Sequence, residues 1–433
     1  MKRELNRLEE MLKKKGIGPE GSKSLKKEEL SELSALFIHP DYSLTTKATL
    51  LTALLMLPAS AEEKSWLEQL QQSYTQFIPE PIQFIITKTH TTHPFQEYLC
   101  TSILGIDLNY EQARDAMEML LTDASAPEYW KGAFLEAQRL KRESFAENKA
   151  FFDVLWNHTI RTQTKLPILI DICDNYDGFN RYNNLAVFFA ATIASCGYPC
   201  IVHGIDSVAP KYGVSSKEIL EVLKGKTNRK VGESIQHLQN PAIGWTYLDQ
   251  MNFHPALYSL KNIRRDMIKR PFLATFEKIM QPIRAVDGNY ILTGYTHAHY
   301  RTEVAEQIKE QGKAKAAMVI KGLEGSSCPP LNRETVQVIY TNGKITDQTI
   351  RPSDFLYEAH EQLPVKEINA EYTATMGMAA LQGTKNEAYY QILYYAGMVL
   401  SGFELEDKQT IIEKVEQNLL SGKVYQAFTN GLA

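Results

Sequence analysis

LIDICDNYDGFNRYNNLAVFFAATIASCGYPCIVHG, residues 169–204, runs from an apolar stretch through a polar turn into an apolar helix, then into a second apolar stretch ending at His203-Gly204. Two β-like runs joined by a helix-length segment read as a βαβ unit, because parallel neighbours need a crossover that a tight turn cannot provide. The turn between them, DNYDGFNRYNN at 174–184, is the place to look for chemistry. In open parallel sheets ligands bind beyond the carboxyl ends of the strands. Yet this turn contains one glycine, Gly178, where a loop that cradles phosphate on its backbone usually needs several.

Outward from this unit the same rhythm continues. LPILIDI (166–172), YPCIVHG (198–204), YILTGY (290–295), AAMVIKG (316–322) and VQVIY (336–340) alternate with helical segments. That alternation predicts a mostly parallel sheet flanked by helices. From about 365 the chain returns to helix, with NEAYYQILYYAGMVLSGF and DKQTIIEKVEQNLLSGKVYQAF. Tyr389, Tyr390, Tyr394 and Tyr395 read as packing, or as a subunit contact.

Residues 1–165 read instead as helix after helix. In NYEQARDAMEMLL the apolar side chains Ala113, Ala116, Met117, Leu120 and Leu121 form one helical stripe. Ser125-Ala126-Pro127 marks a turn before the next helix. Residues 25–65 lie over 108–148 at an offset of about 83, which suggests a duplicated helical module. The expected organisation is thus an all-α domain at 1–165, with a short later piece added, and an α/β domain at 166–433 with C-terminal helices.

Composition excludes several classes. At 44% apolar and 23% charged the chain can bury a core and is not of disordered type. No apolar run reaches the roughly 18 residues of a membrane span. The start is charged and helical, unlike a secretory signal. Five scattered cysteines fit a reducing compartment, so a cytoplasmic location is expected. Cys196 and Cys200 lack the usual metal spacing and a partner pair, and read as buried thiols. His297 and His299 have strand spacing but no further ligand beside them. A net charge of −4 argues against a polycation that binds nucleic acid everywhere. Local basic clusters remain, at Lys13-Lys14-Lys15 and at Lys261, Arg264, Arg265, Lys269 and Arg270. Walker, dinucleotide and nucleophile-elbow motifs are absent.

The ordered set of these elements, with HG at 203–204, HPA at 254–256 followed by arginines, KGLEG at 321–325 and a closing helix pair, resembles the anthranilate phosphoribosyltransferase family of glycosyltransferases. Pyrimidine-nucleoside phosphorylases are its more distant relatives. The likeness covers about 108–433. It implies a helical domain beside a phosphoribosyltransferase-like α/β domain, with substrates in the cleft between them. It also implies a homodimer through the helical domain, which the apolar KATLLTALLML (47–57) supports. In that family a GTGGD loop holds the pyrophosphate of phosphoribosyl pyrophosphate, and an FN.ST element follows it. Here the loop aligns with DICD, and only its closing acid, Asp174, matches. FN persists as Phe179-Asn180, while the Ser and Thr positions hold Tyr182 and Asn183. The family's KHGN aligns with VHGI, which retains His203 and Gly204. Its SSKSG aligns with APKYG, which retains Lys211 and Gly213. The arginine that meets the acceptor's carboxylate aligns with Arg264, suited to that role by its bidentate fork. The acidic pair that holds magnesium aligns with Ser326-Ser327 or Ser327-Cys328, leaving Glu324 as the nearby acid.

The resemblance implies a transferase related to those of tryptophan biosynthesis, acting by pentosyl or phosphoribosyl transfer with an altered donor or acceptor. The alternative is a non-catalytic nucleic-acid-binding homodimer on the same fold. The candidate ligand residues are Asp174, Asp177, Gly178, Asn180, Arg181, Asn183, His203, Gly204, Lys211 and Arg264, toward a phosphorylated or anionic small molecule. Glu324 is the candidate metal ligand, and magnesium is expected only if phosphoribosyl transfer is retained. With so few glycines, DNYDGFNR is expected not to form a backbone anion nest. Weak phosphoribosyl pyrophosphate binding follows, with any anion held by Arg181, Lys211 or Arg264.

Overall fold

The computed structural model describes residues 4–89, 91–298, 300–356, 358 and 360–433. These divide into two compact units. The first contains the described residues up to His158 together with Ala256–Phe276, and the second contains Thr159–Pro255 and Glu277–Ala433.

The first unit is helical. Leu44–Met56 lies at its centre and is buried from Thr45 to Leu54 on every face. It packs closely on Glu128–Lys141 because Gly132 presents no side chain. A Cβ there would lie 2.6 Å from Thr45 Cγ2. The apolar excess of 47–57 is therefore consumed inside the chain, which removes the argument that this segment reserves a face for a second copy. The later segment is tied in by Ser43 Oγ, which donates to Asp266 Oδ2 at 2.7 Å, and by Phe151 against Phe272 at 4.7 Å between ring centres.

The helical segments that align at 25–65 and 108–148 share one device. Glu63 accepts hydrogen bonds from the backbone N–H of Ser60 (3.0 Å) and Leu25 (2.9 Å). Glu147 accepts from Ser144 (2.7 Å) and Leu108 (3.0 Å). In each case a buried carboxylate at the third helical position caps its own helix and fixes the start of an earlier one. No single helix among the described residues is long and apolar enough to cross a membrane.

The second unit is built on nine strands. In chain order they are β1 (Thr162–Gln163), β2 (Leu169–Ile172), β3 (Cys200–Gly204), β4 (Trp245–Asp249), β5 (Ile283–Arg284), β6 (Asn289–Gly294), β7 (Ala316–Ile320), β8 (Thr335–Thr341) and β9 (Lys344–Ile350). β1 and β5 form a short pair, and the others form a seven-stranded sheet in the order β4-β3-β2-β6-β7-β8-β9. β4 through β7 run parallel along that order, while β8 and β9 pair antiparallel. β2 and β7 are buried along their whole length, which is why they read as continuous apolar runs.

The sequence pattern does not mark β4 and β9 of this sheet, nor the short pair β1 and β5. WTYLD mixes polar residues into a buried strand, and KITDQTI is an exposed edge whose charges discourage further pairing. The crossover helix Ala186–Ser195 is buried almost all round. It packs under the C-terminal helices, where Phe428 stacks between Phe188 (4.8 Å) and Trp245 (5.1 Å). Tyr389, Tyr394 and Tyr395 are fully buried there, and Tyr395 stacks on Phe189 at 3.9 Å.

Candidate functional site

The strand order places a switch point between β2 and β6. From β2 the chain moves outward to β3 and β4, then returns to lay β6 against the other side of β2. At such a point the loops after adjacent strands diverge and leave a crevice. Near this point the loop after β2, residues 173–185, meets the loop after β7, residues 321–327, through hydrogen bonds.

Gly178 makes the first loop possible. Its φ is +73°, and a Cβ would lie 2.4 Å from the carbonyl oxygen of Gly213. The two glycines meet back to back, so that Phe179 and Val214 exchange hydrogen bonds at 3.1 and 2.8 Å. This contact joins 174–184 to the segment carrying Lys211. Asn180 Nδ2 donates to the Lys211 carbonyl at 3.1 Å, and Lys211 Nζ donates back to the Gly178 carbonyl at 3.1 Å.

Beyond Gly178 the backbone N–H groups of three successive residues converge. Asn180 (3.0 Å), Arg181 (2.8 Å) and Tyr182 (3.2 Å) all donate to Glu324 Oε1. Lys211 Nζ lies 3.5 Å from Glu324 Oε2 and 3.9 Å from Asp177 Oδ1. The loop therefore does form an anion nest, contrary to the expectation from its glycine content. One glycine at the turn suffices, because the N–H groups that converge belong to the residues after it. Glu324, the candidate metal ligand, is engaged by these donors instead. Its carboxylate faces nitrogen donors, which would repel a cation.

The remaining candidates go elsewhere. Asp174 is buried, and its Oδ1 accepts from the Ser327 backbone N–H at 2.7 Å. Burial pushes its carboxyl up, and the Ser327 hydrogen bonds partly oppose this. Asn183 accepts from Thr373 Oγ1 at 3.2 Å and so braces the helix Ala370–Leu381. The Arg181 side chain is exposed, within 5.9 Å of the Tyr182 ring. Arg264 is buried on Lys261–Met267, in the first unit. His299 lies outside the described residues.

His203 is the penultimate residue of β3, with no exposed ring surface. Its Nε2 lies 3.0 Å from Asp171 Oδ1, and its Nδ1 lies 2.6 Å from the Tyr176 hydroxyl. Tyr176 also donates toward the Glu277 carbonyl at 3.2 Å. Burial pushes the Tyr176 phenol well up, so it stays a hydroxyl. Cys173 completes a cluster with Asp171 and His203 whose ligand atoms lie within 4.8 Å of one another. Burial, then Asp171, hold the Cys173 thiol well above its usual range, and both ring nitrogens of His203 are engaged. The cluster is a hydrogen-bonded brace for the carboxyl ends of β2 and β3. Sequence reading passed over Asp171 because it stands inside an apolar run, and over Tyr176 because its partners are distant in sequence.

Asp174, Tyr176, His203, Gly204 and Lys217 line a small pocket at these strand ends. Lys217 pairs with Asp206 and with Asp249, the latter at 2.8 Å. Burial lowers its ammonium, but hydrogen bonds to the two carboxylates outweigh this and raise it overall. Magnesium does not fit where the family would hold it. Ser326 Oγ donates to the Leu323 carbonyl, Ser327 Oγ meets the Tyr395 hydroxyl at 2.7 Å, and no carboxylate pair stands there.

The sheet order defines a mostly parallel α/β fold with an antiparallel β8–β9 edge. The chain belongs to the glycosyl transferase family characterised by its a/b domain, which matches residues 170–425. It is 28% identical over 232 residues to an anthranilate phosphoribosyltransferase of Syntrophomonas wolfei, covering 53% of this chain and 65% of that protein. With the enzyme of the same name from Aeropyrum pernix it shares 25% identity over 317 residues, 72% of this chain and 88% of that one. In fold it is similar to the anthranilate phosphoribosyltransferase of Thermus thermophilus, with a TM-score of 0.59 and 19% identity over 77% of this chain and 98% of the other. The Saccharomyces cerevisiae enzyme, solved with phosphoribosyl pyrophosphate and magnesium, gives 0.63 with 15% identity over 79% and 98%.

Proposed function

We propose that this chain binds a phosphorylated pentose at the 173–185 and 321–327 loops and transfers the pentosyl group, with a donor or acceptor other than the usual pair of its relatives. The observation that carries this reading is the convergence of three backbone N–H groups and Lys211 at the switch point of the sheet. In such a transfer the bond from C1 to the leaving oxygen breaks, its electron pair departs with the phosphate, and an acceptor nucleophile bonds to C1 and releases its proton. The protein's part is to hold the leaving phosphate and align the acceptor. The altered donor is supported by the loss of the glycine-rich loop and by Ser326 and Ser327 where the relatives' motif is acidic. Pairing of two copies through the helical unit belongs to the same proposal. Light scattering at micromolar concentration checks it, and a monomer refutes it.

The test of function is a thermal-shift screen with phosphoribosyl pyrophosphate plus magnesium, pyrophosphate, nucleotides and single-stranded DNA. A ligand that binds only the native state raises Tm. A phosphorylated small molecule is expected to raise Tm by a few degrees, and Lys211→Ala is expected to reduce the shift. For phosphoribosyl pyrophosphate itself a Kd weaker than about 100 μM is expected. A shift with DNA alone would sink the transferase reading.

A further inference from the structure

The Glu324 carboxylate occupies the place a bound phosphate would take. It accepts three successive N–H groups at 2.8–3.2 Å and lies 3.5 Å from an ammonium, while its own side chain is 3% exposed. A second anion cannot enter without displacing it, since two negative charges cannot share those donors. The turn that bears Glu324 is anchored independently of the carboxylate. Lys211 Nζ donates to the Glu324 backbone carbonyl at 2.9 Å, and Asn175 Nδ2 donates to that of Gly325 at 2.8 Å. Glu324 itself sits at φ +53°, a conformation that side-chain-bearing residues rarely adopt. The backbone is thus held where only side-chain rotation is needed to empty the nest.

We propose that Glu324 is a tethered anion that closes the Asn180–Tyr182 nest to free phosphate, and that a phosphate-bearing ligand binds only as the carboxylate swings out. This rests on the reading of the 173–185 loop as the donor-phosphate site. An intramolecular competitor acts at high effective concentration, so it selects against weakly held free phosphate in favour of a ligand with additional contacts.

Inorganic phosphate is the probe, titrated by calorimetry and thermal shift against wild type, Glu324→Ala, Glu324→Gln and the Glu324→Ala/Lys211→Ala double variant. Circular dichroism confirms folding. Glu324→Ala is expected to bind phosphate at least about tenfold more tightly than wild type, and the double variant is expected to lose most of that gain. If Glu324→Ala does not fold, the near-isosteric Glu324→Gln carries the comparison, with a smaller gain. Folded variants that bind phosphate no better than wild type overturn the proposal and leave Glu324 as a structural cap. Phosphoribosyl pyrophosphate separates the two readings. Equal binding by wild type and Glu324→Ala keeps the donor site and rejects the self-occupied nest. A phosphate gain without response to any pentose phosphate keeps the nest and rejects the transferase.

Discussion

Gly178 shows how one residue determines a loop. Its left-handed backbone and its contact with Gly213 leave no room for a methyl group. Gly178→Ala is expected to cost about 2–4 kcal/mol, from left-handed strain plus overpacking, as a lower urea midpoint with unchanged slope. Lys269 is a different case. It is 7% exposed and donates to the Lys13 carbonyl at 2.8 Å, and burial pulls its ammonium down to about 8. Above the unfolded lysine range both states are neutral and there is no penalty. As pH falls toward 8 the unfolded chain takes a proton that the folded one resists, so stability is lost, and below 8 the loss is complete. Lys269→Met is therefore expected to raise stability at pH 7 by about 1–3 kcal/mol, with the gain shrinking as pH rises from 8 toward 10.5. Melting curves of both proteins across that range check it. No gain at neutral pH would mean that Lys269 stays solvated.

At the scale of elements, the two buried glutamates define the helical unit. We take residues 25–65 and 108–148 as a duplicated module because Glu63 and Glu147 make the same pair of backbone contacts. Their lysines differ. Lys15 meets Glu63 at 2.9 Å with both side chains fully buried, whereas Lys141 meets both Glu147 and the exposed Asp107. Glu63→Gln leaves a buried ammonium beside a neutral amide and is expected to cost about 3–5 kcal/mol. Glu147→Gln leaves Lys141 with Asp107 and is expected to cost about 1–3 kcal/mol. Denaturant titration of the two variants ranks them, and the reverse order would show that the lysines do not set the difference. The offset of about 83 residues was visible in the sequence. The shared buried carboxylate was not, because its partners lie 38 and 39 residues away.

At the scale of the molecule, the first unit is discontinuous. Ile263, Met267, Phe272, Leu273 and Phe276 are buried, and all belong to the late segment of that unit. A fragment ending at residue 158 lacks them and is expected to expose apolar surface. It should bind a hydrophobic dye and melt without a sharp transition, and addition of a peptide spanning 256–276 should restore cooperativity. A fragment that melts cooperatively alone would show that the late segment only decorates a finished core. The sequence reading anticipated a short later piece without locating it, since a few helical turns among basic residues carry no mark of which unit they join.

The sequence by itself determined the βαβ start at 169–204, the mostly parallel sheet, the helical first half and the family, because buried strands and amphipathic helices write their periods directly into the chain. It also singled out Gly178, Asn180, Lys211 and Glu324. Only the tertiary structure decided what these residues do together. Glu324 stands more than 140 residues from the N–H groups it meets, so no local pattern reports the contact. The loop looked too poor in glycine to hold an anion, yet it converges on one, because the geometry depends on a single left-handed turn locked against Gly213. The physical reason is common to both outcomes. Periodicity follows from burial of neighbours along one element, whereas a site is made of backbone groups and charges that only folding brings together.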